Sequence, residues 1–276
     1  MTDMAVVMAV YGNDKLDFIK EAVISVLDQT YRNFHFYIVL NGPVSEKISS
    51  WFSNMRDERI KVFSLAKNYG LAHALNFLLE KVIQIRSYEF IARMDADDIS
   101  LRSRFEIQRN FLLKYTHIAC VGSWYKEIDE SGKYLSYQKL PVSNNEIIRY
   151  FWKRSPLAHP SVMFRRELID KAGFYPTNTL RLEDYMFWSN ALKCGLKLAN
   201  IPQCLLLYRR DKDFYKRRSG IRFGFNYIKT RIRINRSIQV PCYIYFYSFL
   251  VGIIRMMPAF VLRSIYQFHR NRFTDL

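Results

Sequence analysis

The 276-residue chain lacks the short motifs that mark several common kinds of site. No GxGxxG follows the first apolar run and no GxxxxGKS or GxxxxGKT occurs anywhere, which excludes the dinucleotide fingerprint and the P-loop. If a nucleotide binds, its phosphates are therefore held by a metal ion and side chains rather than by a glycine cradle. Cysteine is scarce, with no CxxC pair and no zinc-finger spacing among its four members, which are Cys120, Cys194, Cys204 and Cys242. This usage fits a reduced cytosolic setting.

Long apolar runs are also missing. Residues 1–4 carry an acid and no basic region, and the apolar run at residues 5–10 is too short for a signal peptide. Residues 243–254 form another apolar run, which is shorter than the roughly 20 residues that a spanning helix needs. We therefore expect a protein that stays in the cytoplasm, with residues 243–254 lying at a membrane interface rather than crossing it.

Positive charge dominates the sequence, but it is unevenly placed. The chain has 42 Lys and Arg against 25 Asp and Glu, a net charge of +17. Residues 209–276 hold 15 of the basic residues and three of the acidic ones, a net +12, so residues 1–208 hold the remaining 27 and 22, a net +5. A basic segment of this kind attracts nucleic acid or anionic lipid and says nothing about the fold.

The most informative stretch is an acidic turn, residues 95–98, which directly follows an apolar run at residues 90–94. Asp95, Asp97 and Asp98 stand within four positions at the end of this predicted strand. Because like charges at this distance repel one another, a bound cation explains the cluster well, and carboxylates suit Mg²⁺ or Mn²⁺. The alternative is a solvated turn whose last aspartate caps the following helix.

Apolar runs alternate with helical stripes along the first hundred residues. The pattern predicts strands at residues 5–10, 34–40, 60–65 and 90–94, and helices from residue 16, at 48–52 and at 71–82. This alternation indicates an α/β fold with a mainly parallel, doubly wound sheet and helices on both faces. Ligands of such sheets bind beyond the carboxyl ends of the strands, where Tyr11, Asn41 and the acidic turn would meet.

The second half of the chain is less regular. We predict a helix at residues 105–112, a strand at 118–124, a hairpin turn at 130–133 and a helix at 146–152. Residues 157–166 are predicted to be a strand that carries His159. Residues 182–195 are predicted to be a helix with Glu183 and Asp184 in its first turn and Gly195 just past its end. These acids either complement the helix dipole or place one carboxylate in the cleft as a general base.

Six of these stretches, taken in order, resemble the family 2 glycosyltransferases of the GT-A fold, a large group that makes bacterial surface polysaccharides. They are residues 8–13, 22–31, 68–76, 94–98, 159–166 and 182–185. The resemblance implies a GT-A catalytic domain over residues 1–210. It also implies an inverting transfer of a hexose or related sugar from a nucleotide-diphosphate sugar, most often a UDP-sugar, to an acceptor hydroxyl. The expected acceptor is a lipid-linked oligosaccharide of O-antigen, capsule or exopolysaccharide synthesis.

The resemblance also implies roles for individual residues. Asp97 would be the direct ligand of Mg²⁺ or Mn²⁺ and Asp95 would contact the ribose, with Asp95 and His159 as further candidate metal ligands. Asp184 would be the base, and Glu183 would orient the helix entry. The predicted donor-binding residues are Val10, Tyr11, Asn41, Lys67, Asn68, Gly70, Asp95, Arg217 and Arg218.

One departure from the family's pattern concerns the nucleotide base. The family often has Asp-Asp-Gly-Ser after its second strand, with the first aspartate reading uracil, whereas residues 39–43 read Val-Leu-Asn-Gly-Pro here. Asn41, a neighbouring backbone group or Lys67 and Asn68 must then read the base. dTDP- and GDP-sugars remain the alternative donors. The basic residues 216–218 either close over the diphosphate or form a solvated charge run.

Residues 211–276 are predicted to be a basic, aromatic-rich helical region that associates with membrane. Residues 209–236 contain 11 Lys and Arg interleaved with aromatic residues, and apolar stretches follow, the last around Arg263. This composition favours peripheral binding to the anionic inner face of the inner membrane. A helical pair packed on the domain and a dimer interface are the alternatives.

A nucleic-acid-binding protein would leave the acidic residues unexplained, and a catalytically inactive scaffold would not need them.

Overall fold

The computed structural model describes residues 2–211 and 216–262. Within these ranges nine strands form one mixed sheet, flanked by nine α-helices. The strands are β1 (Met4–Val10), β2 (Phe34–Asn41), β3 (Ile60–Leu65), β4 (Phe90–Asp95), β5 (Ile99–Ser100), β6 (Ile118–Ile128), β7 (Tyr134–Gln138), β8 (Met163–Arg165) and β9 (Lys197–Arg209). The helices are α1 (Leu16–Leu27), α2 (Glu46–Ser53), α3 (Leu71–Ile83), α4 (Arg104–Lys114), α5 (Asn144–Phe151), α6 (Arg166–Ala172), α7 (Glu183–Lys193), α8 (Ile221–Ser237) and α9 (Cys242–Met256).

Parallel pairing organises the sheet, whose strand order is β3-β2-β1-β4-β8-β6-β9-β5 with β7 paired to β6. Strands β1 to β4 pair with one another in parallel. The short strand β8 lies antiparallel between β4 and β6, and β6 pairs with β9 in parallel. The mainly parallel sheet predicted from the alternation of strands and helices is therefore confirmed.

Two apolar cores lie on opposite faces of the sheet. Along β1, Ala5 and Val7 point into a core that includes the buried face of α3. Met4, Val6 and Met8 point to the other face, where they pack with the buried residues of α1. This strict alternation follows from the two-residue period of a strand, and it confirms the predicted helices on both faces.

The prediction of one strand over residues 157–166 is wrong in part. His159–Ser161 forms a 3₁₀ turn, in which the Ser161 N–H donates to the Ala158 carbonyl at 2.8 Å, and only Met163–Arg165 pairs as a strand. The physical reason is Pro160, which has no N–H to donate to a strand ladder and has the backbone torsion of a turn. His159 therefore lies in the turn that precedes β8 and not in a strand of the sheet.

The last two helices, α8 and α9, pack against each other, and α8 also packs on the rest of the fold. Helix α8 buries Arg231, which donates to the carbonyl oxygens of Phe151, at 3.0 Å, and of Trp152. Packing on the domain, one of the alternatives for this region, is therefore observed for α8. Within residues 2–211 and 216–262, none of the helices combines the length with the apolar character that crossing a bilayer requires. The apolar stretch around Arg263 lies outside the described residues, and a domain boundary at residue 210 stays a prediction.

Gly224 of α8 and Gly252 of α9 lie where the two helices cross, and Gly252 allows a test of this packing. A Cβ at Gly252 would lie 2.2 Å from Ile228 Cγ1. We expect Gly252→Val to lower the free energy of unfolding by about 1–3 kcal/mol, because the added methyl groups overpack the crossing. Urea denaturation measures this change, with Ile253→Ala on the exposed face of α9 as the control. An unchanged midpoint for Gly252→Val would contradict the close approach of the two helices.

Candidate active site

The carboxyl ends of the first four strands meet at one edge of the sheet. Ala9 of β1 pairs with Asp95 of β4, and Val10 pairs with Leu40 of β2. The turns that follow β1, β2, β3 and β4 therefore lie side by side, as the sequence predicts for a parallel sheet.

The acidic turn forms a compact carboxylate cluster at this edge. Oxygen atoms of Asp95, Asp97 and Asp98 all lie within 4.8 Å of one another. Asp95 is held by the fully buried Arg93, whose guanidinium contacts both carboxylate oxygens, one of them at 2.8 Å. Burial, together with the negative charge of Asp95, raises the pKa of Asp97 to about 7. The charged forms of these neighbouring carboxylates repel one another, and a bound cation would offset that repulsion.

The donor set of this cluster fits a hard divalent cation. Asp98 is buried and accepts the Arg209 backbone N–H at 2.7 Å through one oxygen. Its other oxygen is buried and has no hydrogen-bond partner among the residues that the structure describes. Carboxylate oxygens at this spacing are the ligands that Mg²⁺ and Mn²⁺ prefer.

Arg209 fixes the shape of the acidic turn, and sequence reasoning missed it. Besides the bond from its backbone to Asp98, its Nε donates to the Asp97 carbonyl at 2.8 Å and its guanidinium pairs with Glu21. The side chain is buried at the end of β9, more than a hundred residues from the turn that it holds. An arginine at the end of an apolar run, directly followed by Arg210, is the sequence signal, and it does not identify the partner.

Asp14 is a further acidic residue at the site that sequence reasoning passed over as part of a turn. One of its oxygens accepts the Tyr11 N–H at 2.9 Å. Burial, with a contribution from the charge of Asp95, raises the pKa of Asp14 to about 7. The signal that could have found it is the adjacency of β1 and β4, because the turns after two paired parallel strands lie next to each other.

The predicted nucleotide-binding residues after β2 and β3 come together in one hydrogen-bonded loop. Asn41 Nδ2 donates to Asn68 Oδ1 at 3.0 Å, and the N–H groups of Tyr69 and Gly70 donate to the side-chain oxygens of Asn41 and Asn68. Gly42 has a φ of +94°, and a Cβ there would lie 2.5 Å from the Asn68 nitrogen. This polar loop is held by its own hydrogen bonds. Amide side chains stand where the resemblance to family 2 glycosyltransferases implies an aspartate.

Helix α7 brings the second pair of acids to the same cleft. Glu183 is its first residue and is buried, and burial together with the charge of Asp184 raises the Glu183 pKa to about 7. Burial also raises the pKa of Asp184, whose Oδ2 accepts a hydrogen bond from Ser155 Oγ at 3.4 Å. The charges of Arg93 and Asp95 act on Glu183, so the first turn of α7 lies near the acidic turn.

His159 does not belong to the carboxylate cluster. Its Nε2 lies 2.9 Å from the Tyr175 hydroxyl, and its ring packs edge-on against Trp188. Burial, with the nearby charge of Arg93, holds the His159 pKa well below its usual value. Its predicted role as a metal ligand stays a prediction that this geometry does not support.

A basic turn, Lys216–Arg218, precedes helix α8. Arg217 pairs with Asp211, and its positive charge acts on Tyr11 and Asp14, while that of Arg218 acts on Asp184. Arg181, which sequence reasoning missed, donates to the Arg217 carbonyl at 2.9 Å from a left-handed backbone position with a φ of 56°. The basic turn therefore lies within electrostatic range of both the turn after β1 and the first turn of α7, where it can supply positive charge to an anionic group.

Comparison with known proteins identifies the family. A family model described as glycosyl transferase family 2 matches residues 5–173. The chain belongs to glycosyl transferase family 2. It is 33% identical, over 98% of its length and 97% of the relative's, to the UDP-Gal:alpha-D-GlcNAc-diphosphoundecaprenol beta-1,3-galactosyltransferase of Escherichia coli. It is 30% identical, over 97% and 99%, to the amylovoran biosynthesis glycosyltransferase AmsE of Erwinia amylovora.

Two solved structures share the fold of this family 2 member. The mannosyltransferase PcManGT from Pyrobaculum calidifontis, in complex with GDP-Man and Mn²⁺, superposes with a TM-score of 0.63 at 15% identity, covering 96% of this chain and 79% of the other. TarS 1-349 of S. aureus in complex with UDP-GlcNAc gives 0.62 at 15% identity, covering 94% and 82%. The GT-A type of α/β fold and the family resemblance predicted from six sequence stretches are both confirmed, and the protein is a glycosyltransferase.

Proposed function

We propose that this glycosyltransferase moves a hexose or related sugar, with inversion, from a UDP-sugar to a hydroxyl of a lipid-linked oligosaccharide in surface-polysaccharide synthesis. The observation that carries the proposal is the carboxylate cluster at the carboxyl edge of the sheet, which lies within electrostatic range of the acidic pair Glu183 and Asp184. The E. coli relative, whose name specifies a UDP-sugar donor and a diphosphoundecaprenol-linked acceptor, supports this choice of substrates.

The carboxylate cluster would hold Mg²⁺ or Mn²⁺. Asp97 is the proposed direct ligand, and the unpartnered buried oxygen of Asp98 supports a cation at this position. Asp95, which Arg93 holds, is the proposed contact to the ribose of the donor. When bound, the metal ion would stabilise the negative charge that develops on the departing diphosphate.

Asp184 is the proposed general base. It would accept the proton of the acceptor hydroxyl while that oxygen attacks the anomeric carbon from the face opposite the diphosphate. The bond from the anomeric carbon to the diphosphate breaks in the same displacement, the nucleotide diphosphate keeps the electron pair, and the configuration inverts. Glu183 would keep the helix entry in place, and Arg181 and Arg217 supply positive charge beside the leaving group.

The choice of nucleotide rests on the loop that joins Asn41 to Asn68. Each amide can donate and accept hydrogen bonds, so the loop can pair with a pyrimidine edge without the aspartate that the family often uses. Nucleotide release measured over UDP-, dTDP- and GDP-sugars, with Mn²⁺ or Mg²⁺ present, tests the choice. Release confined to a dTDP- or GDP-sugar would replace UDP in the proposal.

The proposed site of action is the anionic inner face of the plasma membrane. Helix α9 exposes an apolar stripe at a spacing of three and four residues, formed by Tyr243, Phe246, Leu250, Ile253 and Met257. Basic residues line the exposed side of α8, namely Arg222, Lys229, Arg233 and Arg236. An apolar stripe beside a basic one suits a peripheral position among anionic headgroups.

Membrane attachment predicts that Phe246→Glu weakens binding to vesicles. The Phe246 side chain is 66% exposed, so its loss leaves the fold intact but removes apolar area from the bilayer and adds repulsion. We expect affinity for vesicles containing phosphatidylglycerol to fall about tenfold or more in a sedimentation assay. Ile24→Glu is the matched control, because Ile24 is an exposed apolar residue of α1. Equal vesicle binding by both variants would contradict the attachment of α9.

A further inference from the structure

A groove of about 650 Å³ lies outside the donor cleft, between residues 140–142, α5 and the start of α9. Tyr150, Trp152 and Tyr243 give it aromatic walls, and Arg149 and Lys153 give it two cations. Its volume lies in the range that holds small-molecule ligands. A groove that combines aromatic walls with paired cations suits a ligand that is apolar at one end and anionic at the other.

The one acid of the groove, Glu146, interacts with Arg149, but its largest interactions are with the backbone at the start of α5. Glu146 also lines the groove, but its carboxylate accepts the backbone N–H groups of Val142 and Ser143 at 3.1 and 2.9 Å and caps α5. Among residues 2–211 and 216–262, neither Arg149 nor Lys153 forms an ion pair with a carboxylate. Both cations are exposed at the groove and available to an anion.

One end of the groove lies next to the proposed base. Lys153 is two residues from Ser155, so their Cα atoms are at most about 7 Å apart, and Ser155 donates to Asp184. The wall at Pro141 is tied to the same segment, because Asn200 Nδ2 donates to the carbonyl oxygens of Pro141 and Pro156 at 2.7 and 2.9 Å. Lys153 therefore lies on the same segment as the residue that contacts the proposed base.

The other end of the groove is continuous with the proposed membrane surface. Tyr243 lines the groove and is also the first residue of the exposed apolar stripe of α9. A ligand that enters from the bilayer along this stripe reaches the aromatic walls first and the cations next.

We propose that this groove binds the diphosphate and the first isoprene units of a polyprenyl-diphosphate-linked acceptor. Arg149 and Lys153 would bind the diphosphate through charge-assisted hydrogen bonds, and Tyr150, Trp152 and Tyr243 would cover the start of the prenyl chain. The first sugar then lies between Lys153 and Asp184, and the rest of the lipid stays in the membrane. This inference rests on the lipid-linked acceptor of the proposed function.

The test measures binding of farnesyl diphosphate, a 15-carbon prenyl diphosphate without sugar, by titration calorimetry in neutral detergent. EDTA is present, so the metal-dependent donor site does not contribute. We expect the double variant R149A/K153A to bind about tenfold or more weakly, since it loses two charged hydrogen-bond donors. The control is R86A/K114A, which removes two exposed positive charges near the opposite edge of the sheet. Inorganic diphosphate should bind at least about tenfold more weakly than farnesyl diphosphate, because it lacks the apolar part.

Three results would overturn the inference: unchanged binding by R149A/K153A, equal weakening in R86A/K114A, or equal affinity for inorganic and farnesyl diphosphate. Release of nucleotide from donor sugars by the wild-type protein is measured separately with Mn²⁺. Its absence would overturn the proposed function and the inference with it. Normal release without specific binding of farnesyl diphosphate would overturn the inference alone.

Discussion

Asp97→Ala is expected to lower kcat/KM for sugar transfer by about 1,000-fold, because the variant loses the proposed metal ligand and with it the stabilisation of the departing diphosphate. The measurement is nucleotide release and transfer across a Mn²⁺ titration. Asp17→Ala is the control, since Asp17 is an exposed acid in the first turn of α1. Full activity of Asp97→Ala in EDTA would contradict metal binding at the acidic turn.

Asp97→Ala, which should lower activity, should maintain or raise the stability of the metal-free protein. The folded-state pKa of Asp97, about 7, lies above its ordinary value of 3.8, so its contribution to stability is present below the ordinary value and is lost as the pH rises through about 7. At pH 8 the charged carboxylate therefore destabilises the metal-free fold. We expect Asp97→Ala to unfold at the same or a higher urea concentration than wild type in EDTA, which separates loss of metal binding from loss of fold.

Asp184→Asn is expected to lower kcat by about 100- to 10,000-fold while leaving the KM for the donor nearly unchanged. Asparagine preserves the size of the side chain and can still accept the hydrogen bond from Ser155, but it cannot take up the acceptor's proton at neutral pH. Single-turnover transfer measures the chemical step. Glu183→Gln is the matched variant, and it should retain most of the activity. An inactive Glu183→Gln with an active Asp184→Asn would reverse the two assignments.

The pH profile provides a second readout for the base. Burial raises the pKa of Asp184 above the ordinary aspartate value, so the residue becomes protonated, and transfer falls, at a higher pH than for an exposed aspartate. The contribution of Asp184 to the acid limb of kcat/KM should therefore lie above the ordinary aspartate pKa of 3.8 in the wild type. This contribution should disappear in Asp184→Asn, while Asp97 and Glu183, whose pKa values are about 7, still titrate.

Local sequence patterns were sufficient to predict the first half of the fold and the acidic residues of the site. The strands β1 to β4 are short apolar runs between clear turns, so their period and their ends are visible without knowledge of their neighbours. The pair Glu183 and Asp184 is visible because acids gather at a helix start. The site residues that these patterns find are those whose position depends on the nearest few residues.

The features that were missed depend on partners distant in sequence. Arg209 reaches the acidic turn only because β9 pairs with β5, a two-residue strand that no pattern marks. Strand β9 itself contains Pro202 and pairs with β6 across register shifts, so it shows no clean alternation. The error at His159 has the same origin, since apolar neighbours favoured a strand while the adjacent proline prevented one.

The bonds from Arg209 to the acidic turn also set an order of events during synthesis of the chain. All three aspartates of the turn have been translated by residue 98, but the groups that hold Asp97 and Asp98 arrive more than a hundred residues later. Until β9 emerges from the ribosome, Asp98 lacks the N–H that it accepts in the finished fold. A nascent chain arrested before residue 197 should therefore contain every carboxylate of the cluster and still fail to retain Mn²⁺, and the site should close only when the last strand docks.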